Sequence, residues 1–222
     1  MENVKLKVEN VSKKLNKEMI LSNINLELPE GIITGIIGEN GSGKSMFFRV
    51  LAGLVMATEG KILYDGRTFE EAKPSIGLVM DDVSMYPGLT GRENLQTLAA
   101  IRKVATKEDV VHALERVGLD PKDRRTFRKY SLGMKHRLVL AQAIMEKPDF
   151  LFLDEPTNAI DEAGVRLFYK IVREEALRGA VVLISSHINS DIRELTEEIY
   201  KMEHGVLQRC LLYTSPSPRD ST

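Results

Sequence analysis

Apolar and polar residues first alternate along this chain, then lose that period, then recover it. Leu6, Val8 and Val11 begin a strand-like N-terminus, and Leu21 to Leu28 alternates with Ile24, Leu26 and Leu28 on one face, which predicts a half-buried strand. After the turn Pro29-Glu30-Gly31, the β-branched run Gly31 to Ile37 predicts a strand buried on both faces. Short strands are predicted over Gly60 to Tyr64 and Ile76 to Met80. The stretch from about Asp82 to Lys129 carries no strand signal. Helices are predicted there over Arg92 to Ile101 and Lys107 to Val117, with Thr106 and Asp109 as a variant capping box and Gly118 as a terminator. A helix over Leu132 to Glu146, a strand over Phe150 to Leu153, a helix over Glu162 to Leu177 and a strand over Ala180 to Ser185 complete the pattern. Strands alternating with helices indicate an α/β fold with a parallel sheet covered on both faces.

The junction after the first buried strand holds the strongest chemical signal. Gly38-Glu39-Asn40-Gly41-Ser42-Gly43-Lys44-Ser45 fits G-x-x-x-x-G-K-[ST], a phosphate-binding loop. Its glycines let backbone N–H groups turn inward on a triphosphate. Lys44 can reach the β- and γ-phosphates and the Ser45 hydroxyl can ligate Mg²⁺. The helical pattern from Ser45 to Leu54, with Phe47, Phe48, Val50, Leu51 and Leu54 apolar, places the anion at a helix N-terminus where the dipole and free N–H groups favour it.

Phe150 to Leu153 ends in Asp154 and Glu155. A carboxylate at a strand's C-terminal end can hold Mg²⁺ through its water shell, and the next one can polarise a water for attack on a γ-phosphate. Further along, Tyr130-Ser131-Leu132-Gly133-Met134-Lys135-His136-Arg137 opens a helix with Ser131 at the N-cap. On its own that is an ordinary cap; beside a phosphate loop it is also a second anion site.

Composition narrows the function classes. The formal net charge is −1, which offers neither a nucleic-acid-binding surface nor a polybasic membrane anchor. The apolar runs are far shorter than the roughly 20 residues that cross a bilayer, and the charged, alternating start from Met1 to Asn10 is unlike a signal peptide. The single cysteine excludes an internal disulfide framework. The expectation is a soluble, cytosolic protein whose membrane part, if it has one, is another chain.

Taken together, the order and spacing of these segments from about Asn3 to Gln208 resemble the ATP-binding subunit of an ABC transporter. The resemblance implies a P-loop NTPase, RecA-like core with an N-terminal antiparallel β subdomain and an inserted helical subdomain at about 82–130. Gly38 through Met46 would bind the phosphates of ATP. Ser131 and Gly133 stand where the family has its LSGGQ signature, here in the variant form YSLGM found in bacterial exporters. That segment would complete the ATP site of a second, head-to-tail subunit. Asp161, closing Pro156-Thr157-Asn158-Ala159-Ile160, resembles the family's D-loop aspartate. Ser185-Ser186-His187 resembles its switch motif, in which His187 contacts the γ-phosphate; alone, His187 is a polar residue ending a strand. The implied cofactors are ATP and Mg²⁺, with Lys44, Glu155 and His187 catalytic and Ser45 and Asp154 at the metal. The implied partner is a transmembrane permease on a separate chain, docked around Asp81 to Gly91 and the helical insert, with this subunit peripheral on the inner face of the plasma membrane.

Two positions depart from the family pattern. The base-stacking aromatic is replaced by Leu15, which allows apolar contact but no π-stacking. The Q-loop glutamine is replaced by Asp81, which can still ligate Mg²⁺ but adds negative charge beside a polyanion. Exporters of lantibiotic peptides carry an acidic residue there, which favours export of peptide or drug-like cargo. Three rival readings differ in class. A soluble ABC ATPase would bring a second cassette or a long coiled coil. A GTPase would bring N-K-x-D, and a P-loop kinase an acceptor pocket and lid. A non-hydrolysing regulatory module would show no Mg²⁺-dependent turnover. Finally, the stretch from Cys210 to the end, with Thr214-Ser215-Pro216-Ser217-Pro218-Arg219-Asp220, resembles the translation of a sequencing-library adapter. It is Ser/Pro-rich and aperiodic, so the natural domain is expected to span 1–209, with 210–222 a disordered foreign tail.

Overall fold

The computed structural model describes residues 4–80, 85–157, 161–187 and 192–210. β1 (Val4–Leu15) and β2 (Glu18–Pro29) form a long antiparallel hairpin. β4 (Glu59–Tyr64) pairs on the other side of β1, giving the three-stranded order β2-β1-β4. The β1 pattern of Leu6, Val8 and Val11 slips off period two because of a bulge: the register shifts between Val8 and Val11, and Asn10 has φ 51°. Opposite the bulge, a Cβ on Gly60 would collide with the Asn10 carbonyl, so that glycine is required there.

The second sheet runs β5-β6-β7-β3-β8-β9, built from β3 (Ile33–Ile37), β5 (Ile76–Val79), β6 (Phe150–Leu153), β7 (Val181–Ser186), β8 (Glu198–Glu203) and β9 (Val206–Cys210). Neighbouring strands are parallel except the β8–β9 hairpin. The continuous apolar runs of β6 and β7 follow from burial on both faces. Phe150, Phe152, Val181 and Leu183 pack towards the antiparallel sheet and helix α1 (Lys44–Leu51). Leu151, Leu153, Val182 and Ile184 pack towards the other helices, including α5 (Leu132–Ile144) and α6 (Glu162–Leu177).

After the four-residue α2 (Phe69–Ala72) and β5, the insert contributes α3 (Gly91–Arg102) and α4 (Lys107–Arg116). Both carry complete capping boxes, Thr90 with Glu93 and the expected Thr106 with Asp109. Buried Asn94 pins the turn before α3: its Oδ1 accepts from Tyr86 N at 2.8 Å and its Nδ2 donates to the Tyr86 and Thr90 carbonyls at 3.1 and 3.0 Å. At the far end, Arg116 donates to buried Glu175 at 2.6 Å, tying α4 to α6.

Helix ends differ from the periodicity. α1 stops at Leu51 rather than Leu54 because Gly53 turns left-handed at φ 71°, with Leu54 and Val55 N–H bonding back to the Arg49 carbonyl. α5 stops at Ile144, and Lys147 at φ 51° turns the chain into β6. β8 and β9 have no counterpart among the predicted strands. Glu198, Lys201, Glu203 and Arg209 mask the pattern: β8 buries only Ile199 and Met202, one on each face of the sheet, and β9 is the edge strand.

Candidate active site

β3 delivers the chain into the phosphate loop, and α1 leads out of it. Gly41 (φ 81°) and Gly43 (φ 111°) hold backbone angles that side chains resist, and Gly43 caps α1 with no side-chain hydrogen bond. The helix N-terminus is therefore left to an anion. The loop is buttressed from below by the β8–β9 turn. Gly205 N donates to the Ser42 carbonyl at 2.8 Å, and a Cβ on Gly38 would collide with the Met202 carbonyl. An open cavity is lined by Gly38 to Ser42, His187 and the turn Lys201 to His204.

Lys44, only 5 % exposed, donates through Nζ to the carbonyls of Gly38 at 2.6 Å and Glu39 at 3.1 Å. The same nitrogen lies 3.4 Å from Glu155 Oε1. Glu155 follows buried Asp154 at the end of β6, and its backbone sits left-handed at φ 47°. Its other oxygen, Oε2, accepts from His187 N at 3.1 Å and lies 2.7 Å from His187 Nδ1. Lys44, Glu155 and His187, separated widely in sequence, thus form one chain of contacts beside the loop. Asp154 Oδ1 accepts from Ser185 Oγ at 2.6 Å.

The remaining expected residues are distributed more widely. Met46 stands in the first turn of α1 with its side chain against the core. Leu15 ends β1, paired with Glu18 at the hairpin tip and 47 % exposed. Ser131 is the N-cap of α5, its Oγ accepting from Met134 N at 3.3 Å. Ser131 is exposed, Gly133 has open space where a side chain would be, and neither lines the phosphate-loop cavity. Asp161 caps α6, accepting from Gly164 N at 2.9 Å, and stands 3.9 Å from Arg137. Asp81 lies outside the described residues. Ser185 and the Met202–Gly205 turn were missed as site residues. The serine was legible as part of Ser185-Ser186-His187, but its partners are remote in sequence; the turn gave no signal.

Strand, phosphate loop, helix and paired carboxylates define a phosphate-loop nucleoside triphosphatase. The comparisons with known proteins narrow this class. The sequence model described as ABC transporter matches residues 21–158. The uncharacterized ABC transporter ATP-binding protein YybJ of Bacillus subtilis is 42% identical over 206 residues, covering 91% of this chain and 94% of that protein. The lantibiotic transport ATP-binding protein SrtF of Streptococcus pyogenes is 34% identical over 195 residues, covering 87% and 85%. Among solved structures, the dimeric post-hydrolysis state of the cassette MJ0796, bound to ADP and Pi, superposes with a TM-score of 0.80 at 25% identity, covering 92% of this chain and 97% of that one. The chain belongs to the ABC transporter ATP-binding family and is an ATPase of that family.

Proposed function

We propose that this chain hydrolyses ATP by in-line attack of a water at the phosphate loop and so drives a transmembrane permease carried on a separate chain. The contact of Glu155 with both Lys44 and His187 carries the reading. It sets a carboxylate able to orient and deprotonate a water beside the ammonium that grips the β- and γ-phosphates. His187, held against the Glu155 carboxylate, would contact the γ-phosphate. The loop N–H groups from Gly38 to Met46 take the remaining phosphate charge, and Leu15 lies against the base.

The donor set suits Mg²⁺. A serine hydroxyl and a buried carboxylate are hard oxygen ligands. Among the described residues no cluster of three or more His, Cys, Asp or Glu could hold an ion alone, which fits an ion shared with substrate phosphates. Ser45, Asp154 and Asp81 would hold it, and it would neutralise charge on the β- and γ-oxygens.

Ser131, Gly133 and Asp161 act on the nucleotide of a second, head-to-tail subunit. Their placement away from the chain's own loop supports this, as does the dimer reported for MJ0796. Among the described residues no helix is long and apolar enough to cross a membrane. The proposed place of this subunit is the inner face of the plasma membrane, held there by the permease. The name of SrtF supports lantibiotic-like peptide cargo, and the YSLGM form and Asp81 support outward movement.

The test is the variant Glu155→Gln. It should bind fluorescent ATP with unchanged affinity and lose about a hundredfold or more of its phosphate release. Full turnover in that variant would overturn the assignment.

A further inference from the structure

Ser185 is fully buried at the C-terminal end of β7, with 0% of its surface exposed. Its strand lies between β6, which carries Asp154 and Glu155, and β3, which leads into the phosphate loop. Its hydroxyl works in both directions. Oγ donates to Asp154 Oδ1 at 2.6 Å and accepts from the Glu155 backbone N–H at 3.0 Å. A hydroxyl is the small group that can do both, having one donor and two acceptor lone pairs. Alanine would leave a peptide N–H without its acceptor and a buried carboxylate without its donor.

The Glu155 bond bears on strain. This residue is left-handed at φ 47°, a conformation that non-glycine residues avoid and that persists where neighbours hold it. That backbone turn sends the side chain to Lys44 and His187 instead of continuing the strand. The hydrogen bond from the Glu155 N–H to Ser185 Oγ ties the turn at its backbone, while the Lys44 and His187 contacts hold its side chain. His187, two residues beyond Ser185 on the same strand end, meets the Glu155 carboxylate. One hydroxyl therefore joins three groups: the carboxylate assigned to the metal, the peptide that aims the base, and the strand that aims the histidine.

We propose that Ser185 is a positioning residue for hydrolysis, clamping Asp154 and Glu155 in register with His187. It is fully buried and acts through the Asp154 carboxylate and the Glu155 peptide N–H. The inference rests on the hydrolytic reading of Glu155.

The experiment compares the full chain with Ser185→Ala, Glu155→Gln and the double variant. Ser185→Ala should bind fluorescent ATP within about twofold of wild type and lose about tenfold to a hundredfold in kcat, as expected for a misplaced catalytic group. Its half-saturating Mg²⁺ concentration should rise. Added to Glu155→Gln at saturating Mg²⁺, it should lower turnover no further, because the contribution of Glu155 is already lost and the excess metal offsets the weakened hold of Asp154. Amide hydrogen exchange at Glu155, measured by NMR without nucleotide, should be slow in wild type and fast in Ser185→Ala. A kcat within about twofold of wild type, or losses that multiply in the double variant, would overturn the proposal. An unchanged exchange rate at Glu155 would overturn it as well. A wild-type chain that turns over no ATP would sink the hydrolytic reading instead, and the exchange result would still decide the clamp.

Discussion

Glu155 occupies a backbone conformation that its residue type avoids, and the groups holding it there are the ones hydrolysis requires. Lys44 and Glu155 lie 3.4 Å apart and are both almost fully buried, so removing either side chain would leave the other without its ionic partner. The loop glycines act by absence. Gly38→Ala would drive a methyl into the Met202 carbonyl, so it should lower stability by about 1–3 kcal/mol and weaken ATP binding. Urea denaturation with a binding titration checks this, and a variant as stable and as tight as wild type would refute the packing argument. Residues of the loop and of the carboxylate pair were legible in sequence because their chemistry is written in contiguous runs. Ser185 was legible only as part of Ser185-Ser186-His187; its role was not, because that comes from Asp154, 31 residues away, and from a backbone angle. Asn94 was hidden for a similar reason: its amide replaces a turn that no pattern announces.

Elements were most readable where capping or burial overdetermines them. The Thr106–Asp109 box is complete, and so is the Thr90–Glu93 box that the sequence reading passed over. Both carboxyls sit below their ordinary pKa, chiefly because the cap residue's backbone N–H donates to the ionised form. A folded-state pKa below the unfolded value contributes stability that is present above the unfolded value and is lost as pH falls through the folded one. Asp109→Asn should therefore be less stable than wild type at neutral pH. That difference should shrink as pH drops below about 4, the ordinary carboxylate value. Urea midpoints across that range measure it; a gap that stayed constant with pH would contradict the capping account. The β8–β9 hairpin was the element least legible. It closes the sheet edge, carries charges on both faces around the buried Ile199 and Met202, and makes backbone contacts with the phosphate loop and β2. The β9 strand runs through Cys210, paired with Ile199; residues 211–222, where most of the adapter-like stretch falls, lie outside the described residues.

At the scale of the molecule, the two cores meet at one sheet. The face carrying Phe150 and Phe152 joins α1 and the antiparallel sheet, while the opposite face joins α5, α6 and the insert. The phosphate loop and the Ser131 cap sit on different elements, and Ser131 does not line the phosphate-loop cavity. Beside the insert, Tyr86 is 56% exposed on the turn that Asn94 pins, within the surface proposed to meet the permease. The central claim is that two copies of this chain enclose ATP in sites neither completes alone. Light scattering on Glu155→Gln, with and without ATP and Mg²⁺, tests it most directly. The account predicts a monomer that doubles in mass when the nucleotide is added, and a variant that binds ATP yet keeps the monomer mass would contradict it.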